Sequence, residues 1–402
     1  MSDDGLNEAS HTDQHELHCG LDELRSKRQL LGGKGSRKAR LKVNQQIRAL
    51  ELRLGGLAER EGTSRTGASE SLAPAAYGSL CFPGNFVPSS EPGCHVAHGE
   101  APWIVGSAPF EREALGLEEN DPVPDMSIDP DTRMLSVINT DEATPKSFFI
   151  TTSHRALDKT GRALGTGPFR DEEGKVSQVV TLVLVVLPAH VMDVCYLDIT
   201  PGQATGEEAL DLYSDIKDAP EHPHPGSDKW EPARTYPFPL GGKGPYLCSQ
   251  GVGGRFTHFY PGTYHALDLA CPPGTDVKAL AGGVVQETRQ EERAGGIHAK
   301  GLFGWNSVSV LHDDDLLAEY VHVKADSVTV KPGERVTAGQ KLCESGDVGF
   351  CPRPHLHVQV QRGVDRGAAT VMFMLQDAHG CPYLPRAGGW YGPDFVAGQE
   401  TS

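Results

Sequence analysis

The chain has 402 residues, 38% hydrophobic and 23% charged, enough to bury one or two ordinary cores. Its net charge of -17 is uneven: Leu21 to Arg60 holds 11 Lys/Arg against 4 Asp/Glu, whereas the remainder holds 26 against 50. An acidic bulk is the wrong surface for wrapping nucleic acid, which needs cationic groups to displace counterions, and no run of about 18 apolar residues is present to span a bilayer.

The first twenty residues, MSDDGLNEASHTDQHELHCG, are acidic and polar where a secretory signal would be basic and then apolar, so no standard export signal is visible. His11, His15, His18 and Cys19 have metal-friendly chemistry at helical spacing but lie near a chain end, where order is least expected. Residues 1-62 are read as a basic helical hairpin around GGKGS: Ile47, Leu50, Leu54 and Leu57 recur at steps of three and four, which places them on one stripe. Lys34, Arg37, Lys38, Arg40 and Lys42 form either a solvated helix face or a contact for an anionic surface. Residues 63-110 are rich in Gly, Ser, Pro and Ala without periodicity and are read as linker or irregular coil; the Cys94, His95, His98 group falls within them.

Residues 111-200 predict a small β-domain of sandwich type. The apolar, β-branched run Val179 to Leu187 is too short for a membrane and fits a strand buried on both faces. His154 and His190 in this domain are expected to satisfy local hydrogen bonds. Residues 201-235 are acidic and proline-bearing and read as a second linker, with His222 and His224 exposed in it.

Residues 236-395 show short strands separated by Gly and Pro turns, the pattern of a twisted antiparallel sheet. The whole is therefore expected to be mainly β, with an antiparallel C-terminal sheet, the small β-domain before it and a helical hairpin at the start. In PHLHVQV, His355 and His357 stand two apart, so a strand would project both imidazoles from one face, either as solvated side chains or as a metal site. In YHALDLA, Asp268 lies on the face opposite Leu267 and Leu269, while His265 shares the leucine parity and points away from Asp268. His258 lies upstream across a Gly and Pro turn that can fold it back beside Asp268. In the strand after Asp313 to Asp315, simple alternation puts Ala318, Tyr320 and His322 on one face. The nine cysteines are odd in number and too sparse for a disulfide scaffold; Cys343 and Cys351 flank a predicted loop, where they could bridge or stay buried thiols.

The succession YPFP, SQGVGGRFTH, YHALDLACPPGTDVKALAGGVV, NSVSVLH, EYVHV, VKPGERVTAGQKL and PHLHVQV resembles the lysostaphin/LytM-type zinc metallopeptidases that cut peptidoglycan cross-links. The resemblance implies a zinc cofactor held by His258, Asp268 and His357, with His322 and His355 as the catalytic pair. Tyr320 falls where the family keeps a Tyr, and GTDV and PHLHV fall where it keeps GTPV and HLHFE. Tyr264 occupies the place where the best-known members carry the first histidine ligand, which leaves His258, after a QG turn, and His265 as rivals for that role. The implied activity is hydrolysis of amide bonds in peptide stems or cross-bridges, which would place the substrate at the cell envelope or outside it. Two alternatives come from other classes: a non-catalytic member that binds a wall peptide or partner, and an adaptor whose basic hairpin touches an anionic surface. No HExxH and no GxSxG is present, so the glutamate-base metallopeptidase and serine-elbow designs are not indicated.

Overall fold

The computed structural model describes residues 93–98, 101, 103–113, 115–199, 212–218, 234–365 and 368–397. The predicted hairpin of residues 1-62, His11, His15, His18, Cys19, His222 and His224 all lie outside these. Among the described residues the structure is mainly β; its one helical element is the 3-10 turn Ala299–Gly301. No described helix is long and apolar enough to cross a membrane.

The first half forms a two-layer sandwich. In one sheet the strand Val176–Val186 lies between Lys146–Thr152 on one side and Gly167–Arg170 and Cys94–His98 on the other, with Leu212–Asp218 pairing outside Lys146–Thr152. The other sheet runs Gly106–Pro109, His190–Leu197, Met134–Asn139, Met126–Ile128, with Ala156–Leu157 also on His190–Leu197. Phe148, Ile150, Leu182, Leu184 and Val186 from the first sheet pack on Leu135, Val137, Met192, Val194 and Leu197 from the second. The doubly buried strand is present as expected, but its second covering layer is not the sandwich. Val179, Val183, Phe149 and Phe169 pack outward on Phe256, Phe259, Ile297 and Phe350 of the C-terminal half.

Three strands fall in segments whose sequence reads as linker. Cys94–His98 and Gly106–Pro109 lie inside residues 63-110, and Leu212–Asp218 lies inside residues 201-235. Each is an edge or short strand held by ladder hydrogen bonds to a neighbour. LYSDIKD, with its alternating burial weak and Lys217 and Asp218 exposed, carries no strong apolar period to announce it.

The C-terminal half is built on an eight-stranded sheet in which every pairing is antiparallel. At its centre, His355–Arg362 lies between Leu316–Val321 and Leu267–Ala270. One face carries Leu267, Leu269, Ala318, Tyr320, Leu356, Val358 and Val360 into a single apolar core. The Tyr320 hydroxyl is satisfied there by the Leu280 N–H at 2.7 Å. No described cysteine is in a disulfide: Cys343 is a buried core thiol and Cys351 sits beside His355, so the bridge entertained between them does not form.

The two halves are stitched together. Gly295–Gly296 pairs with Gly167–Arg170 on one side and Gly349–Phe350 on the other, which carries the sandwich sheet into the C-terminal loops. Arg170 grips Asp347 with two hydrogen bonds, at 2.7 and 2.8 Å.

Candidate metal centre and active site

The face of the central sheet opposite the core carries the polar residues. The register places Asp268 directly across from His357 and Ala270 across from His355. Because Leu356 and Val358 must enter the core, His355, His357, Gln359 and Gln361 are all turned to the other side. His258 arrives on the loop after Tyr246–Gln250 and is fully buried.

Three donor atoms converge. Asp268 Oδ1 lies 2.9 Å from His357 Nδ1 and 3.2 Å from His258 Nε2, and the two ring nitrogens are 3.3 Å apart. The outer nitrogen of each ring is engaged: His258 Nδ1 donates to the Gly251 carbonyl at 3.0 Å, and His357 Nε2 donates to Gln359 Oε1 at 3.0 Å. Those bonds leave the lone pairs of His258 Nε2 and His357 Nδ1 directed at the carboxylate and at each other. Bonds of 2.0–2.1 Å to a tetrahedral zinc put ligand atoms about 3.3 Å apart, so two imidazoles and one carboxylate at these separations fit one zinc ion and leave a fourth position for water. Outer-sphere hydrogen bonds of this kind are what orient metal-binding imidazoles.

One amide ties the centre together. A register shift between Cys248 and Gln250, in the pairing with Leu267–Ala270, turns the Gln250 side chain toward Asp268. Gln250 Nε2 donates to Asp268 Oδ2 at 2.7 Å, while its Oε1 accepts from the N–H groups of Phe256 at 3.0 Å and Thr257 at 2.9 Å. The same side chain therefore orients the carboxylate and pins the loop that carries His258. Gly254 is required beside it, since a Cβ there would lie 2.3 Å from Gln250 Cγ.

His322 and His355 border this centre, with ring centroids 4.5 Å apart. His322 reaches it by departing from strand alternation. Ala318 and Tyr320 point into the core, and continued alternation would send His322 after them; instead it follows the strand Leu316–Val321 with φ at 62°, which turns its ring to the polar side. The expectation that the three share a face is corrected by that single left-handed residue. His322 Nδ1 donates to the Val348 carbonyl at 2.7 Å and His355 Nδ1 to the Arg353 carbonyl at 2.7 Å. Both rings thus keep Nε2 free of these anchors, and His355 Nε2 lies 3.5 Å from Asp268 Oδ1.

Electrostatics separates His322, His258 and His355. Burial holds His322 well below the usual imidazole range, and the neighbouring His355 and His357 push the same way, so it is neutral. Burial also lowers His258, against the pull of Asp268. For His355 burial is outweighed by Cys351 and Asp268, which hold it well above the ordinary value. Burial alone would raise Asp268, but His258 and His355 prevail and keep it ionised. A cation on Asp268 would offset part of the carboxylate's pull on His355.

The other histidines singled out in the sequence are elsewhere. His265 precedes the strand Leu267–Ala270 and its Nδ1 meets the Thr370 carbonyl at 3.0 Å, away from the convergent donors. His95 bonds the Gly165 carbonyl at 2.9 Å and packs edge-on to Trp103; His190 bonds the Pro188 carbonyl at 2.7 Å. Sequence reasoning gave no role to Gln250 or Gln359 and considered Cys351 only as a disulfide partner or a buried thiol. Gln359 had a usable signal, since it continues the two-residue alternation from His355 and His357.

Comparison with known proteins places this half of the chain. The sequence model of Peptidase family M23 matches residues 262–369, a span that holds Asp268, His322, His355 and His357 and begins just after His258. The peptidoglycan DD-endopeptidase ShyA of Vibrio cholerae is 32% identical over 97 residues, 24% of this chain and 20% of that protein. The glycyl-glycine endopeptidase ALE-1 of Staphylococcus capitis is 30% identical over 119 residues, 29% of this chain and 27% of its own length. The chain thus spans 20% and 27% of the lengths of these two curated relatives. Among solved structures, the catalytic domain of the antimicrobial peptidase lysostaphin from Staphylococcus simulans is 26% identical, with 32% of this chain and 84% of that one covered and a TM-score of 0.22. The chain carries a C-terminal Peptidase family M23 domain.

Proposed function

We propose that the protein is a zinc-dependent endopeptidase that hydrolyses amide bonds in the peptide stems or cross-bridges of peptidoglycan, with His258, Asp268 and His357 holding the metal and His322 and His355 handling protons. The observation that carries the reading is the convergence of His258 Nε2, Asp268 Oδ1 and His357 Nδ1 to within 2.9–3.3 Å of one another, with two further imidazoles alongside. The relatives named as peptidoglycan DD-endopeptidase and glycyl-glycine endopeptidase support the substrate class. They differ in the bond named, so the proposal stops at the class.

Zinc in this site would supply Lewis acidity, lowering the pKa of water toward about 7 and polarising the scissile carbonyl. The chain's own residues do the rest. Gln250 and Gln359 hold Asp268 and His357 in the ligating orientation, so no reorganisation is needed when the metal binds. His322, kept neutral by burial, is suited to accept the proton of the attacking water through Nε2. His355, which retains its proton, is suited to support the oxyanion and deliver a proton to the leaving amine. The anchoring carbonyls of Val348 and Arg353 fix both rings in that orientation. With all five positions filled, nothing favours the non-catalytic wall-binding alternative.

The test is incubation of the full chain with purified peptidoglycan, followed by mass analysis of released fragments. New amine termini within the stem or bridge peptides are expected, lost on chelation and restored by added zinc. Fragment release that survives complete removal of metal would overturn the metallopeptidase reading; no release by the zinc-loaded protein from walls of any cross-link type would overturn the substrate class.

A further inference from the structure

A second cluster of metal-binding side chains lies against the first. His322, Cys351 and His355 each offer a ligand atom within 4.8 Å of the other two, and all three residues are buried. Cys351 Sγ lies 3.3 Å from His355 Nδ1 and 3.0 Å from the Arg353 carbonyl, to which His355 Nδ1 also donates. None of the three belongs to the group formed by His258, Asp268 and His357, and the donor chemistry differs. The first group offers two nitrogens and a hard carboxylate oxygen; the second offers two nitrogens and a soft sulfur.

We propose that His322, Cys351 and His355 form a second metal site, selective for soft ions such as zinc or cadmium, whose occupation inhibits the neighbouring centre. The chemistry of the donors argues for it. A thiolate with two imidazoles prefers zinc or softer ions over manganese or magnesium, and binding expels two protons to solvent, the thiol proton of Cys351 and the extra proton of the His355 ring. It has no carboxylate to draw a cation, and its Cys351 Sγ and His355 Nδ1 are engaged with the Arg353 carbonyl, so it fills second and more weakly than the first group, whose donors already stand 2.9–3.3 Å apart. The ion replaces the hydrogen bonding that Cys351 Sγ and His355 Nδ1 now direct to the Arg353 carbonyl. Once it binds, His322, whose Nδ1 stays with the Val348 carbonyl, has no Nε2 lone pair left to accept a proton, and His355 has given up the extra proton it would deliver. This inhibitory consequence rests on the proton-handling roles proposed above; the site itself does not.

The experiment loads the full-length protein with increasing cobalt(II), as a spectroscopic stand-in for zinc, and reads metal stoichiometry together with the near-ultraviolet thiolate-to-cobalt charge-transfer band. Only the second site contains sulfur, so the band should be absent at the first equivalent and grow with the second. Cys351→Ser should keep the first equivalent and lose both the second and the band. His322→Gln should also lose the second equivalent, which covers the case in which the serine variant fails to fold. Cys381→Ser, altering the one exposed cysteine among those described, should leave the band unchanged. A wild-type protein that never exceeds one equivalent, or a band that survives Cys351→Ser, would overturn the proposal. In parallel, fragment release from peptidoglycan should fall as zinc or cadmium fills the second site in the wild type but not in Cys351→Ser, with manganese far less inhibitory. Inhibition equal in the two proteins would remove the regulatory claim. If no zinc-dependent release occurs at all, the catalytic reading fails while the cobalt band still decides whether this site exists.

Discussion

Two strands of the molecule invite comparison: Val176–Val186 in the sandwich and His355–Arg362 in the C-terminal sheet. Both are central and both bury nearly every residue along most of their length. In the first, both alternating sets are apolar from Val179 on except for Thr181, whose hydroxyl pairs with Thr151, and each finds an apolar partner: Val180, Leu182 and Leu184 inside the sandwich, Val179 and Val183 against the C-terminal half. In the second, only Leu356, Val358 and Val360 are apolar, while His355, His357, Gln359 and Gln361 fill the other face with groups that must find hydrogen-bond or metal partners. Equal burial therefore has opposite meanings. One strand gives both faces to packing, and the other gives one face to packing and one to the donors proposed to hold the metal.

The comparison breaks most sharply at His357. Replacing it by alanine removes one of three convergent donors and leaves Asp268 without its 2.9 Å partner, so the expected result is loss of the first metal equivalent and of all peptidoglycan cleavage, read by metal analysis of the purified variant. Full zinc retention would show that the polar face of this strand is not a metal site. His355→Ala separates chemistry from metal holding on the same strand. It should retain most of the zinc and lose turnover by about 10²–10⁴-fold, the usual worth of a positioned acid or base. Parallel loss of zinc would move His355 into the ligand set.

On the apolar strand, Leu182→Ala should leave zinc stoichiometry intact and lower unfolding stability by about 2–5 kcal/mol, because Leu182 is fully buried in the sandwich and its loss leaves a cavity. Denaturant unfolding checks this, and a change under 1 kcal/mol would mean that the sandwich core collapses around the gap. Gln250→Ala tests the outer layer of the proposed metal centre, where a single amide holds both Asp268 and the loop to His258. Zinc affinity should fall about 10–100-fold in a chelator competition, the usual effect of deleting an outer-sphere partner. A matching fall in the melting temperature of the zinc-free protein would instead mark Gln250 as a fold-holding residue.

How far the site was legible in the sequence follows from where alternation holds. Asp268, His355 and His357 sit inside regular strands, so the two-residue period assigns them to one face once the leucines and valines are assigned to the core. His258 and His322 do not obey that rule. His258 rides on a loop whose path is set by Gln250, and His322 is turned over by a positive φ that no periodicity announces. The residues alone offered His258 through a turn that could fold it back and His322 through an alternation that the structure corrects, and their roles came from the resemblance of the motif series. The edge strands Cys94–His98 and Leu212–Asp218 escaped for a related reason: they are held by backbone ladders to neighbours far along the chain, and their own side chains carry little apolar pattern. Cys351 was visible as a residue but not as a neighbour of His355, because only the fold shows that its sulfur turns toward the ring.

The smallest expected effect lies where the two halves meet, and it bears on whether the sandwich contributes to the site. Arg170, from the sandwich sheet, clamps Asp347, and the next residue, Val348, supplies the carbonyl that anchors His322 Nδ1. The pair is about one-third exposed, so its direct worth to stability is modest, about 0–1 kcal/mol, and weakens with salt. The neighbouring ladder of Gly295–Gly296 to Gly349–Phe350 and the Phe350 packing remain in Arg170→Ala, so the loop keeps most of its support. The expected outcome is a melting temperature nearly unchanged and zinc stoichiometry unchanged, with a fall of a few-fold in turnover, since a loosened Val348 carbonyl would let the His322 ring wander from its working orientation while the three metal donors stay in place. Turnover equal to wild type would show that the sandwich acts only as a covering layer for the apolar side of the loops, and that the polar face of the C-terminal sheet organises His322 without help from the other half.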